Sequence, residues 1–350
     1  MKKRLTVFMA LVMVLAVFTA CSAPANEVAS PSPTETAVPT ETPSETATEA
    51  PTPEPSASAA YGENNPLAVA TLAGPTGMGM IQLFNNPAYE VGLLTSPDQI
   101  SPKVISGEVS VATIPSNLAA VLYNKMQGGI KIVSVNTMGV LYIVENGDTV
   151  NSIEDLAGKT LYATGQGATP EYVLNKILKD NGLEDVMVEY MGAHADLANA
   201  VAAGDVSLAL LPEPFVSSVL AQNPGVTVKL DINEEWRKIF GEDAGMPMGV
   251  TIVSDALASD AASMNQLIAD YSASVDYVLA ETDKAAADIV TKQIVGAEAV
   301  AKAAIPRCGL SFITGEECKA ILDDYFQVMF DSNPQSVGGA IPDTGIYYLP

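Results

Sequence analysis

Beyond residue 60, hydrophobic positions along the chain alternate between two kinds of spacing. Short runs rich in β-branched residues predict strands, and runs with apolar residues three and four positions apart predict helices between them. The first series of predicted strands covers 67–72, 89–94, 109–113 and 130–135. Repeated strand and helix units of this kind predict an α/β protein whose sheets are mostly parallel.

A second series of predicted strands begins at 140–144 and 160–163, with further strands near 186, 206 and 226. A late strand at 248–253 precedes a long helical stretch that ends near Asp331. Two series and one late return strand predict two lobes joined by two crossings of the chain. We expect residues 61–145 and 250–350 to form lobe 1 and residues 146–249 to form lobe 2.

The first residues have the pattern of an export signal. Three basic residues at positions 2–4 precede an apolar run from Val7 to Phe18 and then small residues. The run is shorter than the roughly 20 apolar residues that a membrane-spanning helix needs. Its end resembles the bacterial lipobox, which implies a signal peptide over residues 1–20 and lipidation of Cys21. An ordinary signal peptide cleaved near the same place is the alternative.

Residues 21–60 have the composition of a tether. The stretch after Cys21 holds eight prolines and six glutamates, without lysine or arginine, and almost no large apolar residue. Such a segment has too little apolar surface to form a packed core. We therefore expect a disordered tether rich in Pro, Thr and Glu that precedes the folded part.

Charge and composition exclude several classes of function. The chain has 41 acidic and 17 basic residues, a formal charge of −24, which disfavours nucleic acid as a partner. One histidine and three cysteines leave too few ligands for a Cys/His zinc site, and a catalytic triad would depend on a single histidine. We expect no catalytic residue, no metal site and no cofactor.

Three segments resemble the type II periplasmic-binding proteins. Residues 152–183 contain the turn that starts the second lobe in that family, residues 202–215 contain a Gly-Asp turn and a Glu-Pro pair, and residues 107–124 are similar to the matching part of the first lobe. With the PTGMGM sequence at 75–80, the chain looks closest to the branch of aliphatic sulfonate, nitrate and thiamine-precursor binding proteins. The resemblance implies a two-lobed α/β fold and a role as solute receptor of an ATP-driven ABC importer.

The resemblance also implies that a ligand binds between the lobes. Physical reasoning agrees, because open α/β sheets bind ligands at the carboxyl ends of their strands, where helix N-termini converge. The expected contacts in the first lobe are Thr76, Gly77, Met78, Gly79, Thr113, Ser116, Asn117 and Met138. Those expected in the second lobe are Gln166, Gly167, Ala168, Thr169 and Glu213, with Thr169 as a helix N-cap.

Some of these residues have a second interpretation. The glycine-rich turn at 74–79 can simply connect a strand to a helix, and Glu213 can equally form a structural hydrogen bond at a turn. His194 is more typical of a surface or helix-start histidine than of a ligand contact. Cys308 and Cys318 are close enough in sequence to form a disulfide, although spacing alone leaves this open.

The expected function is that of a lipid-anchored, monomeric solute-binding protein on the outer face of the bacterial cytoplasmic membrane. Its expected partners are a small organic nutrient and the permease and ATPase subunits of an ABC importer. Two alternatives remain open at this stage. One is an enzyme of pyrimidine or thiamine-precursor metabolism on the same fold, and the other is a receptor domain that senses the ligand.

Overall fold

A computed structural model describes residues 61–242 and 244–350 of the chain, and these residues belong to one compact unit. The predicted signal peptide, the lipidated Cys21 and the predicted tether lie outside the described residues. Within them, no helix combines the length and apolar character needed to cross a membrane.

Eleven strands and twelve α-helices make up the described part of the chain. The strands are β1 (Leu67–Leu72), β2 (Tyr89–Leu94), β3 (Val111–Pro115), β4 (Ile130–Met138), β5 (Leu141–Asn146), β6 (Thr160–Ala163), β7 (Met187–Tyr190), β8 (Leu208–Pro212), β9 (Val226–Asp231), β10 (Pro247–Ser254) and β11 (Leu310–Thr314). The helices are α1 (Pro75–Gly79), α2 (Pro97–Ser106), α3 (Ser116–Met126), α4 (Thr169–Asp180), α5 (His194–Ala203), α6 (Phe215–Gln222), α7 (Ile232–Phe240), α8 (Asp255–Ala258), α9 (Ala261–Ala280), α10 (Thr282–Thr291), α11 (Glu298–Ala304) and α12 (Gly315–Ser332).

The strands form two sheets, one in each lobe, and helices flank both. The first sheet has the order β11-β4-β10-β3-β1-β2, and the second has the order β7-β6-β8-β5-β9. The predicted two-lobed α/β fold is therefore confirmed. Most strands of each sheet run in one direction, as expected, but β10 pairs antiparallel with both β3 and β4, and β5 pairs antiparallel with both β8 and β9.

Two of the antiparallel strands, β5 and β10, are next to the crossings between the lobes. The chain leaves the first sheet after β4, enters the second sheet directly as β5, and returns after α7 as β10. A strand that enters a sheet directly from the neighbouring lobe needs no crossover helix, so it does not have to run parallel to its neighbours. β5 (Leu141–Asn146) therefore belongs to the second sheet, and β10 (Pro247–Ser254) belongs to the first.

The two crossings run side by side. The Gly139 amide donates to the Met246 carbonyl at 2.9 Å, and the Met138 amide donates to the Gly309 carbonyl at 2.7 Å. Gly309 has a φ of +54°, and a Cβ built on it would lie 1.5 Å from the Met138 carbonyl oxygen. Only glycine fits this position, so the region between the lobes is tightly packed.

Three buried hydrophobic clusters form the core of the protein. One covers the outer face of the first sheet under α9 and α10, and another covers the α5 and α6 face of the second sheet. The third extends across both lobes and includes Trp236 of α7 and Tyr325 of α12, whose ring centroids are 5.9 Å apart. Trp236 is only 2% exposed, so it anchors the otherwise charged α7 in the core.

The two described cysteines are free thiols. Cys308 and Cys318 are both buried, and no disulfide joins them. The Cys308 thiol lies 3.6 Å from the sulfur of Met78, and burial raises its pKa. The possible disulfide between these residues is therefore not formed, because each thiol packs within its own apolar surroundings.

Candidate functional site

A cleft of about 290 Å³ opens between the two lobes. Its walls come from the ends of β1, β3, β4 and β8 and from the starts of α1, α2, α4, α5 and α6. Residues of both lobes line it, among them Leu72, Pro75, Thr76, Pro97, Pro115, Thr137, Ala168, Thr169, Pro170, His194, Pro212, Glu213, Pro214, Phe215 and Met248. The cleft thus occupies the place where open α/β sheets bind ligands.

Four of the predicted contacts line this cleft. Thr76 comes from the first turn of α1, and Ala168 and Thr169 come from the start of α4 in the opposite lobe. Glu213, the fourth, directly follows β8. The structure therefore brings predicted residues from both lobes to the same space.

Thr169 has a different local role from the predicted one. Ala168 is the N-cap of α4, and Thr169 is the first helical residue. The Thr169 hydroxyl donates instead to the Asn117 side-chain oxygen of the first lobe at 2.8 Å. The Asn117 amide nitrogen donates to the Ser336 carbonyl at 3.2 Å, so the side-chain oxygen faces Thr169. This hydrogen bond connects the starts of α3 and α4 across the lobes.

Several predicted contacts are buried away from the cleft wall. Gly77, Met78 and Gly79 pack in the interior of the first lobe, with a Cβ position on Gly79 facing Tyr271 of α9. The Thr113 hydroxyl pairs with the Thr71 hydroxyl at 2.7 Å. The second half of the short α1 packs against α9. This part of the glycine-rich turn therefore has a structural position in the first lobe and does not face the cleft.

The remaining predicted contacts also lie off the wall. The hydroxyl of Ser116 donates to the Pro247 carbonyl, and Met138 packs beside Gly245 at the crossing. Gln166 and Gly167 are exposed, and a Cβ built on Gly167 meets no atom within 4 Å. The Gly167 amide donates to the carboxylate of Glu171 in the first turn of α4. The chain's own carboxylate therefore uses the amide that was expected to face a ligand.

Glu213 connects the two lobes through an ion pair. Its carboxylate accepts from the Arg307 Nε of the first lobe at 2.6 Å and from the Ser217 hydroxyl at 2.9 Å. The Glu213 side chain is 0% exposed, whereas that of Arg307 is 33% exposed. The Arg307 carbonyl also accepts from the Tyr142 hydroxyl at 3.0 Å. These contacts give the structural interpretation of Glu213 direct support, although the residue also lines the cleft.

Sequence reasoning gave too little weight to an aromatic corner of the cleft. The rings of His194 and Phe215 lie with their centroids 5.4 Å apart in the wall of the second lobe. The His194 Nδ1 shares a hydrogen bond with the Thr164 hydroxyl, and burial lowers the pKa of His194. His194 is the first residue of α5 and Phe215 is the first residue of α6. An aromatic ring at the start of a helix next to the cleft is the sequence signal that could have identified them.

The second missed feature is Thr137, the wall residue near the end of β4. It is 3% exposed and its hydroxyl donates to the Asn136 side-chain oxygen at 3.0 Å. Gly249 of β10 lies against it, with a built Cβ 3.2 Å from the Thr137 Cβ. The sequence shows Thr137 only as a polar residue near a strand end. Its place in the cleft wall depends on the register between β4 and β10, which the sequence pattern does not reveal.

The described residues contain no group of three or more His, Cys, Asp or Glu side chains placed to hold a metal ion. Within the cleft wall, Glu213 is paired with Arg307 and the pKa of His194 is lowered by burial. These side chains can bind and orient a small molecule by hydrogen bonds and apolar contact.

Comparison with known proteins finds a family that part of the chain resembles. Residues 93–241 match the family described as the phosphonate periplasmic substrate-binding protein of ABC transporters. None of the curated proteins matches the chain. The matched residues contain most of the second lobe and the part of the first lobe from β2 to β4.

Solved structures share the fold at low sequence identity. An ABC transporter protein from Parabacteroides distasonis is 22% identical, with a TM-score of 0.70 over 81% of this chain and 98% of that one. The periplasmic aliphatic sulphonate binding protein SsuA from Escherichia coli is 16% identical, with a TM-score of 0.60 over 79% of this chain and 92% of that one. A putative nitrate transport protein from Thermoplasma volcanium is 14% identical, with a TM-score of 0.51 over 77% of this chain and 94% of that one.

The family match covers the residues that build one wall of the cleft, and the solved structures share the two-lobed architecture on both sides of it. Residues 93–241 of the chain are thus similar to the periplasmic substrate-binding proteins of ABC transporters, and the solved structures show the same fold.

Proposed function

We propose that this protein captures a small organic solute in the cleft between its lobes and delivers it to the permease of an ABC importer. The observation that carries the proposal is the cleft itself, with Thr76 and Thr137 on one lobe facing Thr169 and Phe215 on the other. A ligand that touches both walls stabilises the closed arrangement of the lobes, because it binds that arrangement better than an open one.

The proposal includes a lipid anchor at Cys21. It rests on the apolar run that ends in VFTAC and on the Pro-rich stretch that follows. A diacylglyceryl group has two acyl chains, and two lipid signals hold a protein on a bilayer far more firmly than one. The folded part would then remain near the outer face of the cytoplasmic membrane, where a permease can receive the solute.

The proposal involves binding without bond chemistry. The Glu213 carboxylate is engaged by Arg307 and Ser217, and the Nδ1 of His194 is engaged by Thr164. A general acid and base need groups that are free to exchange protons with a substrate. No particular contact in the cleft favours the enzyme alternative over binding.

A thermal-shift screen of small organic nutrients tests the proposed function. A solute that binds only the folded state raises the melting temperature, and the rise grows with concentration. The matched variants are Ala168→Trp, which places a large side chain in the cleft wall, and Ala287→Trp, which adds the same side chain on the exposed face of α10. A solute of the cleft should stabilise the second variant and not the first, and equal stabilisation of both would contradict the proposed site.

Membrane fractionation tests the anchor separately. The Cys21→Ala protein should be released from the membrane or remain unprocessed. Processed Cys21→Ala protein that stays in the membrane fraction would contradict the anchor and would leave the cleft proposal standing.

A further inference from the structure

The cleft wall provides no free positive charge. Among the described residues that line it, none is a lysine or an arginine. The one carboxylate of the wall belongs to Glu213, and Arg307 neutralises it at 2.6 Å. An anionic ligand would lose its hydration without gaining a counter-ion, which costs several kcal/mol for an unpaired buried charge.

Four helix N-termini around the cleft already have negative partners. A helix N-terminus attracts anions, but four of the helices that begin here carry a carboxylate of the chain itself in or beside the first turn. These residues are Asp98 for α2, Glu171 for α4, Asp196 for α5 and Glu213 for α6. Glu171 accepts from the Gly167 amide and Glu213 accepts from the Ser217 amide. The positive ends of these helices are therefore compensated before any ligand binds.

The short α1 and the longer α3 differ because neither has an acidic residue in its first turn. The first two side chains of α3 are nevertheless committed to the protein, since Ser116 donates to the Pro247 carbonyl and Asn117 bonds to both Ser336 and Thr169. The fold thus uses the polar side chains at this helix start for contacts between its own segments.

Three threonine hydroxyls of the wall donate their protons to the protein. Thr76 donates to the Leu72 carbonyl at 3.3 Å, and Thr137 donates to the side-chain oxygen of Asn136 at 3.0 Å. Thr169 donates to the side-chain oxygen of Asn117 at 2.8 Å. A hydroxyl has one proton and two lone pairs, so each of these groups can only accept from a ligand. Oxygens of a sulfonate or phosphonate would face lone pairs here.

The rest of the wall is apolar. Six prolines, among them Pro75, Pro170 and Pro214, line the cleft together with the rings of Phe215 and His194. Because burial lowers the pKa of His194, its imidazole is neutral at neutral pH and contributes an aromatic face. Rings of this kind pack well against a flat ligand.

We propose that the solute of this cleft is neutral, flat and largely apolar, and that its polar atoms are N–H or O–H donors directed at Thr76, Thr137 and Thr169. This inference rests on the proposed function and specifies its substrate class. The same chemistry excludes sulfonates and phosphonates as the preferred ligands, although the matched family is described by a phosphonate.

Three probes with one ring test the substrate class. Benzamide, benzenesulfonate and phenylphosphonate differ mainly in the polar group, and their affinities for the purified protein are measured by calorimetry at two salt concentrations. Benzamide should bind at least about tenfold more tightly than either anion, a difference of about 1.4 kcal/mol. Its affinity should also be nearly independent of salt.

The outcomes separate this inference from the proposed function. Equal or tighter binding of either anion in the cleft would overturn the substrate class and leave the solute-binding function intact. Failure of all three probes at millimolar concentration would contradict both, because the cleft would then accept neither polar group on a ring that fits it.

A pair of variants tests the argument about helix N-termini. Glu171→Gln removes the chain's own carboxylate at α4 and should improve phenylphosphonate binding relative to benzamide. Glu298→Gln removes a carboxylate from the first turn of α11, which does not line the cleft, and should leave that ratio unchanged. An unchanged ratio in folded Glu171→Gln protein would overturn the compensation argument.

Discussion

Replacement of Arg307 by glutamine should open the lobes. In the described structure the Glu213 carboxylate of the second lobe is completely buried and is paired with Arg307 of the first lobe at 2.6 Å. In Arg307→Gln protein the closed arrangement keeps a buried carboxylate without its counter-ion. Separation of the lobes exposes Glu213 to water, so this cost applies to the closed state and only weakly to the open state.

The magnitude follows from the burial of the two partners. Removal of one member of a buried ion pair costs about 3–5 kcal/mol. The 33% exposure of the Arg307 side chain allows water to screen the pair, so the lower end of that range applies. A cost of about 3 kcal/mol shifts the ratio of open to closed protein about 100-fold toward the open form, since about 1.4 kcal/mol corresponds to tenfold.

Small-angle X-ray scattering measures this shift as a larger radius of gyration. The matched control is Lys302→Gln, which breaks an ion pair with Asp283 whose two side chains are both more than half exposed. Exposed pairs contribute little, so the control should scatter like the unmodified protein. The double variant Glu213→Gln with Arg307→Gln should return toward the closed form because it leaves no buried charge. An Arg307→Gln protein with unchanged scattering and unchanged free energy of unfolding would refute the reasoning.

Three smaller predictions concern single residues. Thr169→Val should lower the free energy of unfolding by about 1 kcal/mol in urea titrations, because it removes the hydrogen bond to Asn117. The helix content measured by circular dichroism should stay the same. A loss of helix content would instead support a role of Thr169 as helix cap. The pKa of His194 is lowered in the folded state, so the unfolded chain binds the extra proton first and stability should decline as pH falls below about 6.5. A His194→Asn protein should show a smaller decline of its urea midpoint with falling pH, and identical slopes for the two proteins would contradict that effect. Gly167→Ala should lower the free energy of unfolding by about 1 kcal/mol, because position 167 has a positive φ of 75°. Its benzamide affinity in calorimetry should be unchanged, since position 167 faces open space. Weaker binding would place the loop in the site.

Local sequence patterns predicted the elements and the general place of the cleft. The spacing of apolar residues located nearly every strand, and the alternation of strands and helices predicted two lobes. The directions of β5 and β10, each antiparallel to its neighbours in its own sheet, were missed. Hydrophobicity reports the burial of a strand and carries no information about its direction. Helix α1 covers only Pro75–Gly79, and a separate 3₁₀ turn follows at Leu83–Asn85.

Individual side-chain roles were harder to predict than the place of the cleft. Thr169 and Glu213 were selected as polar residues near helix starts, and both lie in the wall. Their partners, Asn117 and Arg307, come from the other lobe and are 52 and 94 residues distant in sequence. A hydrogen bond over such a separation depends on how the lobes pack, which local propensity does not encode.

A crystal structure of the protein with the tightest binder of the benzamide, benzenesulfonate and phenylphosphonate series tests the central claim most directly. The bound molecule should lie between the lobes, in contact with Thr76 or Thr137 on one side and with Thr169 or Phe215 on the other. A second cavity of about 380 Å³ lies between α7 and α12 beside Trp236. A molecule bound in that cavity, with the cleft between the lobes empty, would contradict the account.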